Sequence, residues 1–151
     1  MDADQLKKAA RIVKALTENK MLAYSPYDKQ REFHNNGAKY RERLLLAGNQ
    51  SGKTHAAAME VAYHATGRYP DWWEGRRFNS PIRAWVASTS AEGTRDTVQR
   101  LLLGDGPDYG TGSIPKSSIK EIKQARTVSG AVGQMYINHI AGGQSYIGVR
   151  T

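Results

Sequence analysis

Lys53 and Thr54 follow Gly52 at the end of the stretch AGNQSGKT, Ala47 to Thr54. A flexible residue, a cation and a hydroxyl in that order suit one chemistry, the gripping of a polyphosphate. In the pattern G-x-x-x-x-G-K-[ST], Ala47 takes the first place, while Gly52, Lys53 and Thr54 fill the last three. Backbone N–H groups of Gly48, Asn49, Gln50, Ser51 and Gly52, with those of the helix start, would point inward at a β-phosphate. Lys53 would bridge β- and γ-oxygens, and the Thr54 hydroxyl would coordinate Mg²⁺. The methyl group of Ala47 is tolerable at the close of a strand provided φ is negative, and Gly48 and Gly52 keep the freedom the turn needs. The competing reading is a glycine turn between strand and helix with an incidental lysine.

Such a loop must be held between a strand and a helix. Leu44-Leu45-Leu46-Ala47 is a short apolar run that predicts a strand, and the alanine-rich THAAAMEVAYHATG predicts a helix ending at Gly67. Ile82 to Ala87 predicts a second strand, and Ser88 to Leu103 a helix that ends at Gly104. GQMYINHI and GQSYIGVR flank Ala141-Gly142-Gly143 as the arms of a β-hairpin. Residues 3 to 18 read as an amphipathic helix, and Ser25-Pro26 breaks the chain before a short helix from Tyr27 to Asn36. Lys116 to Arg126 is basic and without a clear period. The expected fold class is α/β: a P-loop NTPase-type parallel sheet flanked by helices, incomplete, with an N-terminal helix and a C-terminal β-hairpin.

Composition narrows the partners. With 151 residues the chain fits one domain, and a formal charge of +8 favours a polyanion such as nucleic acid, though it also serves plain solubility. The absence of cysteine removes disulfides and thiolate metal sites. Of the four histidines, His55 and His64 do not share a helix face, and His139 stands beside Asn138 with no carboxylate near it in sequence. No apolar run approaches the roughly 20 residues that cross a bilayer, and MDADQLKKAARIVKAL lacks the apolar block of a signal peptide, so a soluble protein without a membrane partner is expected.

Gln30 lies about twenty residues before Gly48 and follows Tyr27. Its amide could read adenine by donating to one edge nitrogen and accepting from the amino group. It could equally be an exposed helix residue.

Tyr27-x-x-Gln30, LLLAGNQSGKT, the string from Thr66 to Phe78 with its Trp72-Trp73 and Arg76-Arg77 pairs, and Pro81 to Trp85 together resemble the ATPase part of the large terminase subunit of tailed bacteriophages and prophages. The resemblance runs from about Tyr24 onward. It makes residues 1–23 a helical appendage and residues 24–151 the N-terminal part of a P-loop ATPase domain. It implies ATP and Mg²⁺ as cofactors, Gln30 as adenine reader, Gly48 to Thr54 as the Walker A loop, and one of Arg95, Arg76 or Arg77 near the nucleotide or a ring interface. It further implies a motor that drives double-stranded DNA into a procapsid, working as a homo-oligomeric ring with the portal protein and the small terminase subunit in the host bacterial cytoplasm. The alternatives are a non-catalytic nucleotide- or DNA-binding fragment, or another P-loop NTPase or phosphotransferase, although no guanine-reading Asn-Lys-x-Asp occurs.

Hydrolysis would also need a Walker B strand that ends in Asp and is followed by Glu. Leu101-Leu102-Leu103-Gly104-Asp105 imitates one but continues the helical spacing from Val98, and no acidic residue follows Glu121. The Walker B strand and the nuclease domain are therefore expected to lie beyond this chain, which alone should bind Mg-ATP weakly or not at all and should not turn it over. Trp72 and Trp73 are expected to pack against a sheet, and Arg76-Arg77 to be solvated.

Overall fold

A computed structural model describes residues 2–126 and 128–150. Four helices precede the first strand: α1 (Ala3–Glu18), α2 (Lys20–Ala23), α3 (Asp28–Asn35) and α4 (Lys53–Thr66). Strand β1 (Arg83–Ala87) leads to a continuous helical stretch made of α5 (Ala91–Gly93), a π-helical segment Thr94–Gln99 and α6 (Arg100–Leu103). Strands β2 (Ile119–Gln124), β3 (Val132–Asn138) and β4 (Gln144–Arg150) complete the sheet.

The helix after the glycine loop forms where the sequence places it. Alanines at 58, 62 and 65 and Met59 join α4 to the buried core, while Tyr63 packs on the other side against Tyr24, Trp72 and Trp73 and donates to Met21 O. Gly52 starts it at φ 76° and Gly67 ends it at φ 70°. A Cβ on Gly67 would stand 2.5 Å from the His139 ring, so glycine there answers both to the backbone and to the hairpin beside it. The hairpin itself turns on Gly142 and Gly143, at φ 90° and 80°. Helix α1 lies at the surface: none of its residues is buried, and Leu6, Ile12 and Val13 are more than half exposed.

The sheet order is β1-β4-β3-β2, with β1 parallel to β4 and the other two pairings antiparallel. This corrects the expected parallel sheet. The hairpin does not stand apart; its second arm docks along β1 and carries β3 and then β2 outward, so the sheet is mixed. Its inner face, with Met135, Ile137 and Ile147 fully buried, joins one core with Met59 and Ala62 of α4 and Leu102 and Leu103 of α6. The helical stretch ends at Gly104, φ 93°, so Leu101 to Asp105 is a helix end rather than a strand.

The run Leu44 to Ala47 is a second correction, because it belongs to no strand. The edges of the sheet are β1 and β2, and neither pairs with it among the described residues. Leu44 and Leu46 are 80% and 81% exposed. An apolar run signals burial in the finished fold, but ladder bonds need a neighbouring strand, and none is placed there.

Candidate functional site

The loop from Ala47 to Lys53 is wound tightly by its own side chains. Lys53 Nζ donates to the carbonyls of Ala47 and Gly48, 2.6 Å from each, and Ser51 Oγ donates to Gly48 O at 2.8 Å. Gln50, at φ 59°, is the one described non-glycine residue in the left-handed region, consistent with a backbone bent to the limit of what an L-residue adopts. Ala47 is not among the residues with positive φ, so its methyl group costs the turn nothing. The first intrahelical bond of α4 is Ala56 N–H to Gly52 O, 2.9 Å, which leaves the preceding N–H groups without an intrahelical acceptor. An anion seated there would meet those N–H groups, the positive end of the α4 dipole, and the Lys53 ammonium swung off its two carbonyls. Thr54, exposed on the first turn of α4, carries the hydroxyl suited to a cation accompanying that anion.

Gln30 holds the loop from behind. Its Nε2 donates to Ser51 O (3.4 Å) and Gly52 O (3.3 Å), and its Oε1 accepts from Tyr27 N (3.0 Å). The side chain is 7% exposed, which excludes the exposed-helix reading. A Cβ on Gly52 would lie 2.8 Å from Gln30 Nε2, so glycine here serves both the left-handed backbone and the approach of the amide.

Below the loop, α4 is fastened by a buried polar cluster that sequence reasoning missed. Glu60 receives both guanidinium nitrogens of Arg43, one at 3.2 Å to Oε2 and a close contact from Nη2 to Oε1. His34 Nδ1 lies 2.7 Å from Glu60 Oε2, and Tyr24 Oη lies 3.1 Å from His34 Nε2. Burial acts to raise the Glu60 pKa, but hydrogen bonds from His34, His64 and Arg43 outweigh it and hold the carboxyl well below the usual range. An ionised carboxylate only accepts, so His34 donates from Nδ1 to Glu60, and the Tyr24 hydroxyl meets the other ring nitrogen. Burial, with the Glu60 charge beside it, pushes the Tyr24 phenol up to about 12. Arg43 also donates to Phe33 O at 2.7 Å, so one guanidinium ties α3, α4 and the segment entering the loop. The available signal was Glu60 itself, the one acid in α4, four residues before His64.

The other flagged residues have local roles. Trp73 is buried against Tyr63 and His34, with ring centroids 5.3 and 5.1 Å away, and its indole N–H donates to Arg76 O; Trp72 packs beside Tyr24, so both rings lie among side chains of the helical layer rather than against the sheet they were expected to face. Arg76 and Arg77 are exposed and lie over Phe78 and Tyr69, and Arg95 pairs with Asp96 at 2.7 Å. Their contacts among the described residues do not include the loop. His55 touches Tyr24 while His64 reaches Glu60, so the two histidines diverge as their spacing implied. His139 is buried with its Nδ1 accepting from Ala141 N, and no group of three candidate metal ligands occurs among the described residues.

Fold and site define an α/β protein in which a glycine-rich turn, clamped from behind by an amide, opens directly into a sheet-packed helix. The family model described as "Terminase large subunit, T4likevirus-type, N-terminal" matches residues 44–137, and the chain belongs to the terminase large subunit family. It is 37% identical over 134 residues to the "Terminase, large subunit" of Salmonella phage P22, an alignment covering 79% of this chain and 27% of that protein. The chain thus spans about a quarter of the length of the relative it matches. No solved structure matches it. No helix among the described residues is long and apolar enough to cross a membrane.

Proposed function

We infer that this chain is the ATP-binding part of a DNA-packaging motor, with Gly48 to Thr54 as its Walker A loop. The observation that carries the reading is the placement of Lys53: its ammonium is folded over the mouth of a turn whose backbone Gln30 and Gly52 hold in shape. A bound triphosphate would replace the Ala47 and Gly48 carbonyls as the partner of Lys53, and the Thr54 hydroxyl would help hold a Mg²⁺ that neutralises phosphate charge. Such a site works by position and charge alone, stabilising the developing negative charge of phosphoryl transfer. The acid on α4, Glu60, is committed to Arg43 and His34, so it does not supply the water-activating carboxylate.

In the complete protein, hydrolysis at this loop drives double-stranded DNA toward the procapsid in a ring of copies at the portal, with DNA delivered by the small terminase subunit, in the host cytoplasm. Membership of the terminase family and the +8 charge support that assignment. In the full-length protein bearing this segment, Lys53→Ala should abolish DNA-stimulated ATP turnover and packaging together. Packaging that persists in that variant would overturn the reading.

A further inference from the structure

The helices cover one face of the sheet, and the other face carries a different chemistry. Strand alternation places Ile147, Met135 and Ile122 toward α4 and α6. Across the opposite face the register sets Arg83 beside Tyr146, Tyr146 beside Tyr136, and Tyr136 beside Glu121. The next row runs Trp85, Gly148, Gln134 and Lys123. A sheet face destined for an apolar layer reads as Val, Ile and Leu, as the inner face does here. This one reads as alternating cations, aromatic rings and amides.

The rings and cations are arranged in pairs. The guanidinium of Arg83 lies 5.0 Å from the Tyr146 ring, that of Arg150 lies 5.6 Å from Trp85, and the Lys123 ammonium lies 5.0 Å from Tyr136. Tyr136 and Tyr146 meet edge to face at 5.6 Å. Trp85 is 75% exposed, although an indole gains more by burial than almost any other side chain. Gly148 sits between Trp85 and Tyr146, and a Cβ there would stand 3.0 to 3.2 Å from atoms of both. The glycine therefore leaves bare backbone between the two rings, which Arg83 and Arg150 flank as a platform.

We propose that this open sheet face binds an unpaired nucleic-acid strand, its bases stacking on Trp85 and Tyr146 and its phosphates meeting Arg83, Arg150 and Lys123. Three cations face one carboxylate, Glu121, which already lies 3.7 Å from Lys123, so the platform has the sign a phosphate backbone requires. Ring faces select for unpaired strands, because bases in a duplex stack on one another and present only their edges. Arginine planes over the rings add stacking surface for the same ligand. The site lies on the sheet face opposite the one that packs with α4, the helix that opens from the Lys53 loop.

The test is fluorescence anisotropy of the 151-residue chain with a labelled oligothymidine of roughly 15 nucleotides, beside a duplex of the same length. The single strand should bind more tightly than the duplex. Trp85→Ala should weaken it by about 5- to 100-fold, whereas Trp85→Phe retains most of the binding. Arg150→Ala should lower the salt dependence by roughly 0.7 in log–log slope. Lys53→Ala should leave single-strand affinity unchanged, so failure of the nucleotide reading and failure of this one are separately visible. Unchanged single-strand affinity in Trp85→Ala, with an unchanged thermal midpoint, would overturn the proposal, as would tighter binding of the duplex.

Discussion

Gln30 Nε2 lies 3.3 Å from the carbonyl oxygen of Gly52, the residue that starts α4, and the Gln30 Oε1 holds the N–H of Tyr27. Both ends of the amide are therefore engaged with backbone. If this engagement is its work, Gln30→Ala should weaken ATP and GTP binding alike, by roughly 5-fold for about 1 kcal/mol of lost hydrogen bonding. An adenine reader would lose ATP binding selectively. Parallel titrations of the two nucleotides separate the cases.

Gly52→Ala should destabilise the chain by about 1–2 kcal/mol in chemical denaturation, since its φ of 76° lies in the left-handed region and the new methyl would press on Gln30. In Gln30→Ala the contact is relieved, so the double variant should lose less than the sum of the two single ones.

The Glu60 cluster makes stability depend on pH at both ends. With the folded-state pKa of Glu60 depressed, its contribution is present above the unfolded value of about 4.3 and is lost as pH falls below it. Glu60→Gln should therefore flatten the acid limb of a denaturation-midpoint profile. At the alkaline end the buried Tyr24 phenol contributes up to the unfolded value of about 10 and loses its contribution as pH rises toward about 12. Tyr24→Phe should make that limb shallower. Removing one partner of the pair outright, as in Glu60→Ala, should cost on the order of 3 kcal/mol, because the Arg43 and His34 groups it leaves are largely enclosed.

Leu44 and Leu46 stand in solvent on a segment with no ladder partner. Replacing both with Lys should leave the unfolding free energy within about 0.5 kcal/mol of its original value while reducing self-association in light scattering. A large loss of stability would show that the two side chains are buried in solution.

What the sequence disclosed and what it concealed divide along physical lines. Helix α4, the hairpin and the helix end at Gly104 were legible because each depends on local rules: periodicity for the element, and glycine at positive φ for its boundary. The pairing of β4 with β1 was not, since it joins residues some sixty positions apart and no local pattern fixes which edge a hairpin seeks. Leu44 to Ala47 misled for a related reason, its apolar run predicting a strand but not a partner. In the site, the loop residues were legible from their types and spacing. The burial of Gln30 against Ser51 and Gly52 and the gathering of His34, Arg43 and Tyr24 around Glu60 arise only from tertiary packing.

Lys53 and its loop are proposed to hold a nucleoside triphosphate, and calorimetric titration of the full-length protein bearing this segment with a slowly hydrolysed Mg-ATP analogue decides between this role and an incidental glycine turn. Saturable binding that strengthens with Mg²⁺ and falls at least tenfold in Lys53→Ala is the predicted result. Absence of binding at millimolar analogue, or equal binding by the Lys53→Ala variant, would contradict it.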